Sequence, residues 1–110
     1  PDHGILAEES TSHLPNANYQ WIIDPLDGTT NFVHNYPSFA VSIGVHYNNN
    51  PVVGCVIEIP SNNIYTAIKS EGAFCNNNPI NVSSENSLQK SLLVTGFGYD
   101  HDEKARIYTP

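Results

Sequence analysis

Positive charge is scarce in this sequence. Four lysines and arginines stand against eleven aspartates and glutamates, for a net charge of −7. Affinity for nucleic acid comes from Lys and Arg neutralising phosphates, so nucleic acid is excluded as a partner. An acidic protein can still hold a phosphate where a bound cation inverts the local charge. Cysteine is rarer still. Cys55 and Cys75 have neither CxxC spacing nor a histidine-rich context. That argues against zinc and for reduced thiols, although sequence does not decide their pairing. No run approaches the ~20 apolar residues of a membrane span, and no signal-peptide pattern opens the chain. Methionine is absent, so the initiator is not here, and the helix-like closing run DHDEKARIYTP breaks off almost at once. The expectation is a piece of a larger domain.

What is present suits a folded protein. Hydrophobic residues make up 39% of the 110 and aromatics 10%, too much for a disordered chain. A chain of this length forms at most one domain and buries roughly 60–70% of its unfolded surface.

The organisation is mostly β. HLPNANYQ (13–20) reads as a polar loop, and WIID (21–24) as a short strand that Pro25 ends, because proline lacks the N–H a ladder needs. TTNFVHNYP (29–37) reads as a helical turn opened by hydroxyls and closed before Pro37. SFAVSIGVHY (38–47) alternates with the period of a strand. Phe39, Val41, Ile43, Val45 and Tyr47 share one face; Ala40, Ser42, Gly44 and His46 share the other, small enough for a helix to pack closely. VVGCVIEI (52–59) and IYTAI (64–68), separated by turns, complete an antiparallel meander. GAFCNNNPINV (72–82) reads as strand, tight turn and strand. SSENSLQKS (83–91) is a loop with a helical turn, and LLVTGF (92–97) a further strand. Helices from outside the chain are expected to cover the sheet.

The chemistry concentrates in Asp24-Pro25-Leu26-Asp27. Asp-Pro followed by Asp-Gly is strong turn chemistry. Such a turn aims two carboxylates and the Leu26 carbonyl toward one point. Three hard oxygen donors suit Mg²⁺, which keeps several waters for a substrate to displace. Gly28-Thr29-Thr30 follows at once, bringing backbone N–H groups that attract an anion. Glycine lets the backbone come close to a bound group. Cation ligands and anion donors within seven residues are what metal-assisted hydrolysis of a phosphate ester requires. The competing structural reading is a solvated acidic turn. Upstream, Glu8 and Glu9 follow a short apolar run. In a strand they point to opposite faces, so only one of them joins the Asp24 centre.

WIIDPLDGTTNFVHNYPSFAVSIGV closely resembles the metal-binding signature of the inositol monophosphatase family. AEES resembles that family's Gly-Glu-Glu-Ser, with Ala7 where glycine is usual. YTAIKSEGAFCNNNPINVS and SLLVTGFGYDHDE extend the resemblance over nearly the whole chain. It implies an α+β fold, here a fragment of a layered αβαβα sandwich and mainly its first, largely antiparallel sheet with short helical turns. It implies Mg²⁺ held by the carboxylates of Glu8, Asp24 and Asp27 and the carbonyl of Leu26. Glu8 and Thr29 then hold or activate the attacking water, and Asp27 with the N–H groups of Gly28 and Thr29 lies against the substrate phosphate. Glu9 is not a ligand on this reading. The implied activity is hydrolysis of a phosphate monoester, inositol monophosphate first, with lithium sensitivity.

The family also needs an aspartate from a Trp-Asp segment far toward its C-terminus. The chain alone is therefore expected to bind Mg²⁺ weakly without turnover, and the full-length parent to be active. A histidinol-phosphate phosphatase, a fructose bisphosphatase, a 3′-phosphoadenosine nucleotidase and a non-catalytic cation-binding module stay open as alternatives. The parent is expected in the cytoplasm, with no membrane partner, as a homodimer by family analogy. Any organellar address would lie in the missing N-terminus. His34 and His46 are read as structural, as neither has a second ligand at sensible spacing. Trp21 is expected to pack beneath the site, and His101 with Asp100 and Asp102 to form a solvated turn or helix start.

Overall fold

The computed structural model describes residues 2–7 and 10–94. Its strands are β1 (Gly4–Ala7), β2 (Ser10–His13), β3 (Tyr19–Asp27), β4 (Ala40–Tyr47), β5 (Asn50–Glu58), β6 (Asn63–Ile68), β7 (Gly72–Cys75) and β8 (Asn78–Ile80). One short helix, α1 (Thr29–Val33), links β3 to β4. All eight strands join one sheet in the order β2-β1-β3-β4-β5-β6-β7-β8. Every described pairing is antiparallel except that of β1 with β3.

The asparagine-rich turns set the meander. Asn48 and Asn49, between β4 and β5, have φ of 47° and 63°; Asn76 and Asn77, between β7 and β8, have 49° and 66°. Two consecutive left-handed residues match the right-handed twist of a two-residue hairpin. Asparagine tolerates that conformation better than other residues bearing a Cβ. The turn positions thus fix the register, and the register fixes the faces.

On one face Ile22, Gly44, Gly54, Ala67 and Ala73 lie in one cross-strand row. This is the small face that the alternation of β4 anticipates, continued across three more strands. The opposite face carries larger groups, in the rows Ile5–Trp21–Val45–Val53–Ile68 and Ile23–Ile43–Cys55–Thr66–Phe74. Among the described residues no hydrophobic side chain is buried. A sheet in water normally buries at least one face against another layer. Cys55 and Cys75 are both free and half-buried. Cys55 shares its row with Thr66 and Phe74, whereas Cys75 pairs with Tyr65 on the other face.

Several expectations need correction. The strand does not stop at Pro25 but runs from Tyr19 to Asp27, because the register shifts between Asp24 and Asp27. Proline is tolerated at such a bulge, where no ladder N–H is required. The polar loop is shorter than expected: His13 belongs to β2, and Tyr19 and Gln20 to β3. Gln20 closes the loop by donating Nε2 to the carbonyls of Leu14, at 2.8 Å, and Ala17, at 3.2 Å. Leu92, Leu93 and Val94 are exposed and form no strand, since an extended segment gains nothing without a neighbour to pair with. The remainder of that segment, and Asp100, His101 and Asp102, lie outside the described residues. The loop before it does contain a helical turn, a 3₁₀ turn at Leu88–Lys90.

Candidate functional site

The bulge in β3 organises the acidic turn. Residues three apart in a regular strand point to opposite faces. Here Asp24 pairs with Ser42 and Asp27 with Ala40, so three steps on β3 match two on β4. Ala40 and Ser42 share a face, and the extra residue brings Asp24 and Asp27 to that same face. The bulge holds itself in place. The Leu26 N–H donates to Asp24 Oδ1 at 3.0 Å, an Asx turn of the kind Asp favours. The Thr29 hydroxyl donates to the Leu26 carbonyl at 3.0 Å.

Gly28 turns the chain from the bulge into α1. Its φ is +86°, a left-handed conformation that other residues adopt at a cost. A Cβ there would lie 2.8 Å from the Ser38 carbonyl oxygen, so both conformation and space select glycine. The expected hydroxyl cap does not form: Gly28 occupies the N-cap position and no side chain caps it. Thr29 instead turns its hydroxyl back to the bulge. A five-residue helix is too short to be stable alone. It is tied to the segment just before β4 by Asn31, whose Nδ2 donates to Ser38 O at 2.7 Å, and by the edge-to-face rings of Phe32 and Phe39, 5.2 Å apart.

Beside the bulge is an open depression of about 340 Å³, lined by Asp27, Gly28, Asn31 and Ser38 on one side and by Ala40, Val56, Glu58 and Tyr65 on the other. Glu58 accepts a hydrogen bond from the Ser61 hydroxyl. Cys75 beside Tyr65 raises its phenol above the ordinary range, with burial and Glu58 acting the same way. Asn31, Ser38, Glu58 and Tyr65 were not singled out by the sequence. Asn31 sits inside the TTNF run, but the other three meet the acidic turn only through sheet register.

The structure therefore brings Asp24, Leu26, Asp27, Gly28 and Thr29 together in one bulge and turn. Glu8 and Glu9 lie outside the described residues. Ala7, the residue before Glu8, pairs with Ile23, the residue before Asp24. Among the described residues no three His, Cys, Asp or Glu side chains gather closely enough to hold an ion by themselves. The donor set still has the chemistry that Mg²⁺ needs, with two carboxylates and an intervening carbonyl, all hard oxygens. Asp24 keeps its second carboxylate oxygen beyond the bond to Leu26, and a carbonyl oxygen has two lone pairs.

His34 donates Nδ1 to the Thr30 carbonyl at 2.8 Å, and His46 is half-buried in β4. Trp21 belongs to the face opposite Asp24; it is 37% exposed and donates Nε1 to His3 Nδ1 at 3.0 Å.

Comparison with known proteins gives a consistent picture. The profile of the Inositol monophosphatase family matches residues 1–109. An inositol-1-monophosphatase of Synechocystis is 52% identical over 102 residues, covering 91% of this chain and 35% of that protein. The solved inositol monophosphatase of Anabaena (Nostoc) superposes with a TM-score of 0.88 at 48% identity, over 91% of this chain and 40% of that one. A staphylococcal inositol monophosphatase-1, solved as an inhibitory complex after soaking in lithium chloride, matches with a TM-score of 0.67 at 35% identity, over 73% of this chain and 31% of that one. The chain spans 29–41% of the length of the curated relatives it matches.

Proposed function

The chain belongs to the inositol monophosphatase family, and from that premise we propose that the protein carrying it hydrolyses a phosphate monoester, inositol monophosphate first, with Mg²⁺ as cofactor. The observation that carries the proposal is the β3 bulge, which sets Asp24 and Asp27 on one face beside the Gly28 turn. Asp24, Asp27 and the Leu26 carbonyl are the ligands this region offers, and Glu8 is the proposed third carboxylate. Its support is the register of Ala7 with Ile23, which ends one residue short of both acids. A divalent ion held there would neutralise phosphate charge and lower the pKa of a water.

The chain's own groups do the rest. The Thr29 hydroxyl commits its hydrogen to Leu26 O, which leaves its lone pairs to accept a hydrogen bond from the attacking water. Such an acceptor holds the water with its own lone pair aimed elsewhere, at the phosphorus. Glu8 is the proposed second acceptor. The backbone N–H groups of Gly28 and Thr29 are the proposed donors to the phosphate, and glycine allows the close approach. The chain by itself is proposed to bind Mg²⁺ weakly and to lack turnover.

The test is a panel of phosphate monoesters with the complete protein: inositol monophosphate, histidinol phosphate, fructose 1,6-bisphosphate and 3′-phosphoadenosine 5′-phosphate, each with and without Mg²⁺. Preferential, Mg²⁺-dependent release of phosphate from inositol monophosphate is expected. Cation binding with no release from any substrate would favour a binding module instead.

A further inference from the structure

We infer that Asn31 is a positioning residue for the phosphate side of the site, acting through the Ser38 carbonyl. The inference rests on the proposed function and goes one step beyond it. Ser38 O is held at 2.7 Å by the Asn31 amide. The same oxygen would lie 2.8 Å from a Cβ on Gly28, so it stands directly against the backbone of the Gly28 turn. That bond therefore restrains the atom that bounds Gly28 from the segment before β4, beside the bond of the Ser38 N–H to Tyr36 O at 2.8 Å. Other ties hold α1 elsewhere. Phe32 against Phe39 anchors it further along, and the Thr29 hydroxyl bonds back to the bulge. Asn31 and Gly28 also line the same depression as Asp27. Asp24 and Asp27, by contrast, belong to β3 and are placed by its register with β4.

This division of labour makes Asn31 separable from the cation ligands. Losing its amide frees the Ser38 carbonyl to shift relative to the Gly28–Thr29 backbone, while the β3 bulge keeps its own bonds. The experiment uses the complete protein with Asn31→Ala and with Asn31→Leu, which is close to asparagine in size but cannot donate. Inorganic phosphate is the probe, as a competitive inhibitor, alongside the Mg²⁺ concentration for half-maximal activity. Phosphate inhibition is expected to weaken about fivefold, the effect of one lost hydrogen bond of ordinary strength, with Mg²⁺ half-saturation unchanged. A merely structural role lowers the active fraction without moving the phosphate inhibition constant. An inhibition constant within twofold of wild type in whichever variant folds overturns the inference, as does an equal loss in Mg²⁺ affinity. Asp24→Asn is the parallel control: if it retains full activity, the functional reading fails, and if it is inactive while Asn31→Ala binds phosphate normally, only the role of Asn31 fails.

Discussion

Replacing Gly28 by alanine tests whether the turn after the bulge is fixed by both conformation and space. At φ +86°, a residue with a Cβ loses about 1–2 kcal/mol to left-handed sterics. The new methyl also meets Ser38 O at 2.8 Å and Phe39 Cα at 3.3 Å, and neither is the end of a flexible side chain. Moving Ser38 O out of the way stretches its bond from Asn31, worth about 0.5–1.5 kcal/mol. Together the loss is about 1.5–3.5 kcal/mol. Gly72 supplies the control. Its φ is +95° and a Cβ there meets no atom within 4 Å, so Gly72→Ala pays the conformational part alone. Denaturant unfolding of both variants in the complete protein separates the two contributions. Gly28→Ala should be the more destabilised by about 1 kcal/mol and should also bind phosphate less well. Equal losses in the two variants would refute the claim that Ser38 O bounds Gly28.

Other consequences are more local. Pro25→Ala should lower stability by about 0.4–1 kcal/mol through the entropy of the unfolded chain, leaving the Asp24–Leu26 bond and Mg²⁺ dependence intact; thermal unfolding and a Mg²⁺ titration check both. Tyr65 titrates above the ordinary tyrosine range chiefly because of Cys75, since a thiolate repels the phenolate. Cys75→Ser should therefore bring that phenol down, visible as earlier ionisation in an ultraviolet pH titration, and no change would remove Cys75 as the cause. With the complete protein, Li⁺ should inhibit in competition with the cation activator, as inhibition assays at several Mg²⁺ concentrations will report.

The sequence carried the candidate site's donor groups more fully than their geometry. Asp24, Asp27 and Gly28 were readable because turn-forming pairs and hydroxyls beside an apolar strand serve few purposes at once. The alternation of β4 gave its faces, and Gly54, Ala67 and Ala73 extend the small one. The bulge was not readable. Proline inside a strand signals termination from local rules alone, and only pairing with Ser42 and Ala40 shows that the strand continues. The hydroxyl cap failed for a similar reason, since a left-handed glycine already redirects the chain and frees Thr29 to bond Leu26. Glu58 and Tyr65 reach the depression through long-range register, which no local window reports.

The most direct test of the central claim is Mg²⁺ titration of the complete protein with Asp24→Asn, read by calorimetry and by phosphate release. An asparagine side-chain oxygen still accepts the Leu26 N–H, so the bulge survives while one proposed anionic oxygen ligand is lost. Retained stability with Mg²⁺ binding and hydrolysis abolished is the predicted result. A variant that binds the ion and hydrolyses its substrate as well as the wild type would contradict the account.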